Sequence, residues 1–225
     1  SSASLSNPLE FAGKLSGSKF LHIKESGAPA GSRTAVFWDS SMNPDSSAHT
    51  QTKDLIIESA RAGCQSLAFT VSRRMAELIR MWANREDRSL KILSYRAGYS
   101  PEERRKIEHS LKTGGVRAVV STNALELGID IGGLDVIIIS GYPGTISSFW
   151  QQAGRAGRKG GPSAVFFLPH EDALQKYMLR HPEILMNMGF ENAVISLTND
   201  KVLAGHILCS VSEIIAQKPD DIFPW

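Results

Sequence analysis

Short apolar runs alternate with stretches of helical periodicity through the middle of this chain. Leu67-Ala68-Phe69-Thr70-Val71 reads as a strand, and Ser72 then caps a helix whose apolar positions Met75, Leu78, Ile79 and Trp82 fall on one face. Lys91-Ile92-Leu93 predicts a second strand. The helix after it opens on Ser100-Pro101-Glu102-Glu103, a capping box with proline at the first helical position, and ends at Gly114-Gly115. Val116 to Val120, Val136 to Ile139 and Ala164 to Leu168 are rich in Val, Ile and Phe, as suits strands covered on both faces of a parallel sheet wrapped by helices. A helix from Asp54 to Ala62, ended by Gly63, fits as the crossover into the first of these strands. Residues 24–53 are loose and rich in Ser, Gly, Pro and Asn, with one strand at Thr34 to Trp38, and read as a connector. From about His181 the pattern turns helical and less regular.

Composition narrows the class without naming it. The 225 residues are enough for one α/β domain with attachments, and a net charge of +2 means that any nucleic-acid contact must come from local placement. Cys64 and Cys209 are far apart and have no His/Cys cluster beside them, so neither a disulfide framework nor a zinc site is indicated, and a reduced, cytoplasmic setting is the default expectation. No apolar run is long enough to span a bilayer. The opening Ser1-Ser2-Ala3-Ser4 has neither a signal peptide's pattern nor an initiator Met, and reads as the edge of a piece cut from something longer.

In a parallel sheet, ligands gather at the carboxyl ends of the strands, and three of these ends carry unusual residues. After Val116 to Val120 come Ser121-Thr122-Asn123 and then Ala124-Leu-Glu-Leu-Gly-Ile-Asp130. A hydroxyl with backbone N–H groups at such a turn can hold a phosphate, Gly128 allows close approach, and Asp130 can accept from ribose hydroxyls. A capped short helix followed by a tight turn uses Thr122 and the glycines equally well. The second end is Gln151-Gln-Ala-Gly-Arg155-Ala-Gly-Arg158. Arginines three apart on one helical turn project together, and two guanidinium groups suit the spread charge of a γ-phosphoryl group in its transition state. A solvated basic turn is the plain alternative, but glycines are poor choices for it. At the third end, Ser94 to Tyr99, Arg96 and the Tyr99 ring can lie along a sugar-phosphate chain with Gly98 permitting approach; an ordinary strand-to-helix loop accounts for the segment as well.

His170, His181 and His206 are isolated and read as structural or exposed, and Trp38 and Trp150 as packing residues. Gly13-Lys14 is followed by Leu15 and does not complete a G-x-x-x-x-G-K-[ST] loop, and no magnesium-holding acidic segment follows an apolar strand. The arginines therefore need a nucleotide held by another lobe.

Taken together and in this order, the segments resemble the motifs of a superfamily-two helicase: Leu67 to Ile79 motif IV, Tyr95 to Glu108 the motif after it, Val119 to Asp135 motif V, and Gln151 to Arg158 motif VI in the form Q-x-x-G-R-x-G-R. Ser2-Ala3-Ser4 is similar to the end of motif III, with Ser4 in place of its usual threonine. The wording of Tyr95 to Tyr99, Thr122 to Asp130 and Gly141-Tyr-Pro-Gly144, with Leu203 to His206, resembles the mitomycin-repair-factor type of DEAD/H-box DNA helicases. The resemblance implies a RecA-like three-layer α/β domain with a mostly parallel sheet and a short helical C-terminal extension. It implies residues 1–45 as the end of a first lobe and a connector, 46–180 as the second lobe, and 181–225 as the start of an accessory region. It also implies ATP with Mg²⁺ bound mainly by the first lobe, Arg155 and Arg158 as arginine fingers, and Gln151 against the first lobe's acidic motif. Gly128 and Asp130 would meet the nucleotide, and Thr122, Gly98 and Thr70 the backbone of the tracked strand. The partners implied are single-stranded or tailed duplex DNA and the first lobe of the same parent, with no membrane, and the implied activity is ATP-driven 3′ to 5′ unwinding in repair. A lobe kept only for nucleic-acid or protein binding, and a translocase that hydrolyses ATP without separating strands, are the rival expectations.

Overall fold

The structure, a computed structural model, describes residues 4–25, 27, 31–126, 134–157 and 160–213. Their contacts divide the chain into two compact units, Ser1–Ser26 with Glu191–Trp225, and Gly27–Phe190. The elements in chain order are α1 (Pro8–Ser16), β1 (Arg33–Phe37), α2 (Ala48–Arg61), β2 (Ser66–Thr70), α3 (Arg73–Glu86), β3 (Leu93–Tyr95), α4 (Pro101–Lys112), β4 (Ala118–Ser121), β5 (Val136–Ser140), α5 (Ile146–Ala153), β6 (Ser163–Leu168), α6 (Ala173–Arg180), α7 (Glu183–Asn187) and α8 (Asp200–Glu213). In the first unit the Asn7 side chain, just before α1, accepts from the Ala193 amide at 2.9 Å and donates to its carbonyl at 3.1 Å.

The second unit is built on six strands in the order β1-β6-β5-β2-β4-β3, every pairing parallel. Alternate residues of each strand point to opposite faces, so the near-continuous apolar runs feed two separate cores. Leu67, Phe69, Val119, Ile137, Ile139, Val165 and Phe167 meet Leu111, Phe149, Met178 and Leu185 on one face. Ala68, Ala118, Val120, Val136 and Ile138 meet Ile56, Ile57 and Ala60 of α2 and Ala76, Ile79 and Ala83 of α3 on the other. The result is the three-layer RecA-like fold expected from the sequence. β1, within the stretch that reads as a connector, forms the edge of this sheet beside β6.

Local details depart from the sequence pattern for physical reasons. The buried stripe of α3 is Ala76, Ile79 and Ala83, while Trp82 stays 38% exposed. Alanines on both helix and sheet permit close approach, and a tryptophan does not fit beneath the helix, so the contact line is rotated from the expected face. The third strand begins at Leu93 rather than Lys91, because Lys91 takes φ +50 and the Asn84 amide occupies both backbone groups of Ile92. The crossover helix begins earlier than expected, at Ala48, where the Ser47 hydroxyl accepts from the Thr50 amide. α4 forms as its capping box predicts, with the Ser100 hydroxyl accepting from the Glu103 amide and the Glu103 carboxylate from the Ser100 amide. Tyr95, at the end of β3, donates to Glu108 of α4 at 2.6 Å, and burial with that carboxylate pushes its phenol up to about 12. Ser100→Ala is expected to lower the unfolding free energy by about 1 kcal/mol, read from a urea melt, with α4 retained; a shift within error would show that the box is dispensable.

Candidate nucleic-acid interface and arginine segment

Because every strand runs the same way, the carboxyl ends of β2, β3, β4 and β5 lie along one edge of the sheet. There Thr70, Thr122, Asn123, Gly141, Pro143 and Gln152 line a cleft of about 140 Å³. Thr70 is thus brought beside Thr122 and Asn123, which lie some fifty residues further along the chain. Thr70 is buried and its hydroxyl donates to the Ser72 carbonyl at 3.1 Å. Thr122 occupies the N-cap position of a short 3-10 turn, Asn123–Leu125, yet its side chain makes no capping hydrogen bond. Capping therefore does not explain this threonine. Its placement in the cleft suits a ligand oxygen.

Arg96, Gly98 and Tyr99 form a separate cluster at the end of β3, organised by a residue that periodicity did not single out. The Glu77 carboxylate of α3 accepts from Tyr99 Oη at 2.6 Å, Arg96 Nε and Ser94 Oγ at 3.0 Å and Arg80 Nε at 3.1 Å. Burial alone would raise the pKa of Glu77, but these four donors outweigh it and hold the group at about 2. The Arg96 guanidinium lies over the Tyr99 ring, 4.7 Å from its centre. A Cβ at Gly98 would sit 2.5 Å from Arg96 Nη1, so the missing side chain there leaves room for the Arg96 guanidinium. The ring and hydroxyl of Tyr99 are engaged within the cluster, whereas Arg96 remains a third exposed at the rim.

The arginine segment also differs from a single helical turn. α5 ends at Ala153 with Gly154 as its C-cap, and Arg155 lies beyond it. The chain then runs beside Leu134, with a bridge from Leu134 to Ala156 and a hydrogen bond from the Gly157 amide to the Leu134 carbonyl, and Gly157 turns at φ +76. Arg155 is only 6% exposed, and its Nε and Nη2 both donate to the Glu126 carbonyl, the former at 3.1 Å. The Glu126 carboxylate in turn accepts from Ser148 Oγ at 2.8 Å and Gln152 Nε2 at 2.9 Å. Gln151, on the half-buried side of α5, donates to the Ser147 hydroxyl at 3.2 Å. Arg158, Gly128 and Asp130 lie outside the described residues. Glu126 and Gln152 escaped sequence reasoning, although an acid set between Leu125 and Leu127 was an available signal.

The remaining residues of interest pack. Trp38 Nε1 donates to Gln51 and Trp150 Nε1 to the Leu185 carbonyl, and each indole meets a phenylalanine edge-on. His170 stands against His49 with ring centres 4.7 Å apart, and burial lowers the pKa of both. Among the described residues no helix is long and apolar enough to cross a membrane.

A parallel sheet with hydroxyls at its strand ends and an arginine-bearing turn beside them is the arrangement of a helicase motor lobe. Residues 48–160 match the helicase conserved C-terminal domain, and the chain belongs to that family as the second RecA-like lobe of a superfamily-two helicase. It is 37% identical over 222 residues to the uncharacterized ATP-dependent helicase YprA of Bacillus subtilis and 34% identical over 232 residues to the ATP-dependent helicase HRQ1 of Saccharomyces cerevisiae, each alignment covering 95% of the chain. It spans only 30% and 21% of those two relatives. Among solved structures it resembles the DUF1998 helicase MrfA bound to DNA, with a TM-score of 0.86 and 37% identity over 94% of this chain and 31% of that one. The helicase Lhr of Mycobacterium smegmatis, bound to ssDNA and AMP-PNP, follows at a TM-score of 0.73 and 27% identity over 94% of this chain and 29% of that one.

Proposed function

We propose that this chain is the strand-gripping, arginine-supplying lobe of an ATP-dependent DNA helicase that acts in repair. Arg155 and Arg158, with Gln151, face a nucleotide held by the N-terminal lobe, Gly128 and Asp130 meet that nucleotide, and Thr70, Thr122 and Asn123 hold the DNA backbone. Arg96, carried by the Tyr99 and Gly98 loop, adds a charge at the rim of the same sheet edge. The observation that carries this reading is the cleft at the ends of β2, β4 and β5, where the uncapped Thr122 hydroxyl stands beside Thr70 and Asn123. Hydroxyl and amide contacts to phosphate carry no base information, which fits an enzyme that must travel along any sequence. Mg²⁺ bound with ATP, mainly on the N-terminal lobe, would neutralise charge on the phosphates.

In this scheme closure of the two lobes brings the arginines to the γ-phosphoryl group, and reopening after hydrolysis shifts the lobe along the strand it grips. The lobe alone supplies only one wall of the nucleotide site. The purified chain, given ATP, Mg²⁺ and single-stranded DNA, is therefore expected to show no turnover above background, whereas the complete parent protein turns over in the presence of DNA. Hydrolysis by the isolated chain at the parent's rate overturns the reading.

A further inference from the structure

The turn that carries Thr122 and the turn that carries Arg155 come from different parts of the chain, and one buried residue touches both. Glu126 closes the short 3-10 turn that begins at Asn123, its amide donating to the Asn123 carbonyl at 3.0 Å. Its carboxylate crosses to α5, one oxygen on Ser148 and the other on Gln152, while its own carbonyl receives the Arg155 guanidinium. Glu126, Gln152 and Arg155 are 7%, 3% and 6% exposed. Gln152 also lines the cleft beside Thr122, and its Oε1 is buried with no hydrogen-bond partner among the described residues. Among those residues the amide of Gln152 is oriented by the Glu126 carboxylate, which accepts from its Nε2.

We infer that Glu126 is a positioning residue that locks the strand-gripping turn to the arginine segment, so that a bound strand sets the arginines in place for hydrolysis. This rests on the proposed function above. Each end of the lock uses a different part of the residue: the carboxylate fixes α5, and the carbonyl fixes the guanidinium that follows α5. A displacement of Thr122 by a strand is passed to Arg155 through the Asn123–Glu126 hydrogen bond and the direct contact of the guanidinium with the Glu126 carbonyl. Both carboxylate oxygens of Glu126 are satisfied within this buried network, which holds that side chain in one place.

The test uses the complete parent helicase and measures ATP turnover against single-stranded DNA concentration, with Glu126→Met, Gln152→Met and Glu126→Gln. Methionine keeps the length of the side chain, accepts only weakly and cannot donate. Losing one hydrogen bond to a charged group corresponds to a fall of about tenfold or more in rate when that bond acts in the transition state. DNA-saturated kcat is expected to fall by about tenfold in the two methionine variants, while the DNA concentration giving half-maximal turnover stays within about twofold. Glutamine at 126 still accepts from Ser148 and can donate to Gln152 Oε1 after the latter's amide turns over, so it is expected to recover most of the rate. A Glu126→Met enzyme with wild-type kcat overturns the inference, as does a loss of rate matched by an equal rise in the half-maximal DNA concentration. If Glu126→Met does not fold, Gln152→Met decides by the same two criteria. A wild-type parent that DNA fails to stimulate would remove the motor-lobe reading itself; a stimulated parent with an unaffected Glu126→Met removes only the lock.

Discussion

Alanine at both Arg155 and Arg158 in the complete helicase is expected to lower DNA-stimulated ATP turnover by roughly 10³–10⁵-fold, the range that an arginine finger contributes in other phosphoryl-transfer enzymes. At Arg155 the change should also affect stability. Arg155 is buried and holds the Glu126 carbonyl with two nitrogens, so Arg155→Ala strips a buried acceptor of a charged donor pair as well as removing charge from the site. That loss is expected to cost about 2–3 kcal/mol of folding stability beside its effect on rate. Lysine does not repair it, because a single ammonium cannot reproduce the forked geometry of the guanidinium. Arg158→Ala is expected to lower the rate as well. Single-turnover ATP hydrolysis and a thermal melt of each variant separate the two roles. A double variant that hydrolyses ATP and moves along its strand as the wild type does would sink the assignment of the arginine segment.

The sheet was readable because its strands are buried on both faces, which leaves uninterrupted apolar runs that only a covered parallel sheet accommodates. α4 was readable for a different reason, since Ser100-Pro101-Glu102-Glu103 is a start signal complete in four residues. Edge strand β1 was harder to place, being short and flanked by loose residues, and nothing in Arg33–Phe37 states that its neighbour is β6, well over a hundred residues later. The rotation of α3 was invisible because periodicity marks large apolar residues and passes over alanines, while the close approach to Ala68 and Ala118 selects the alanines. At the sheet edge the fold brings Thr70 beside Thr122 and Asn123. Glu77, Glu126 and Gln152 were not singled out along the chain. Polar residues inside a network carry no period, and their meaning lies in partners distant in sequence, such as Glu77 with Tyr99 or Glu126 with Ser148.

Glu77→Gln is expected to lower the unfolding free energy of the chain by about 2 kcal/mol at pH 7, with the loss shrinking as the pH falls. Four donors converge on this carboxylate, and its pKa lies near 2 against an ordinary 4.5. A depressed pKa means that folding favours the ionised form, so the stabilisation is complete above the ordinary value and disappears as the pH falls through the folded one. The shift corresponds to an upper bound near 3 kcal/mol, and screening at a side chain that is 27% exposed brings the expectation down to about 2. By about pH 3 less than half of the advantage over Glu77→Gln should remain, since the wild-type group is then largely neutral in the unfolded chain and partly so in the folded one. Urea melts of both proteins at pH 7, 4 and 3 give the curve directly, and a gap that is constant with pH would show that charge on Glu77 is not its source. The consequence for DNA follows from Arg96, which loses its anchor and swings freely at the rim. In the complete helicase the variant should need several-fold more single-stranded DNA for half-maximal turnover at moderate salt, and the salt dependence of binding should be shallower by up to about one counterion. Arg96→Ala should reproduce that shallower dependence, and combining it with Glu77→Gln should add little, because both changes remove the same oriented charge.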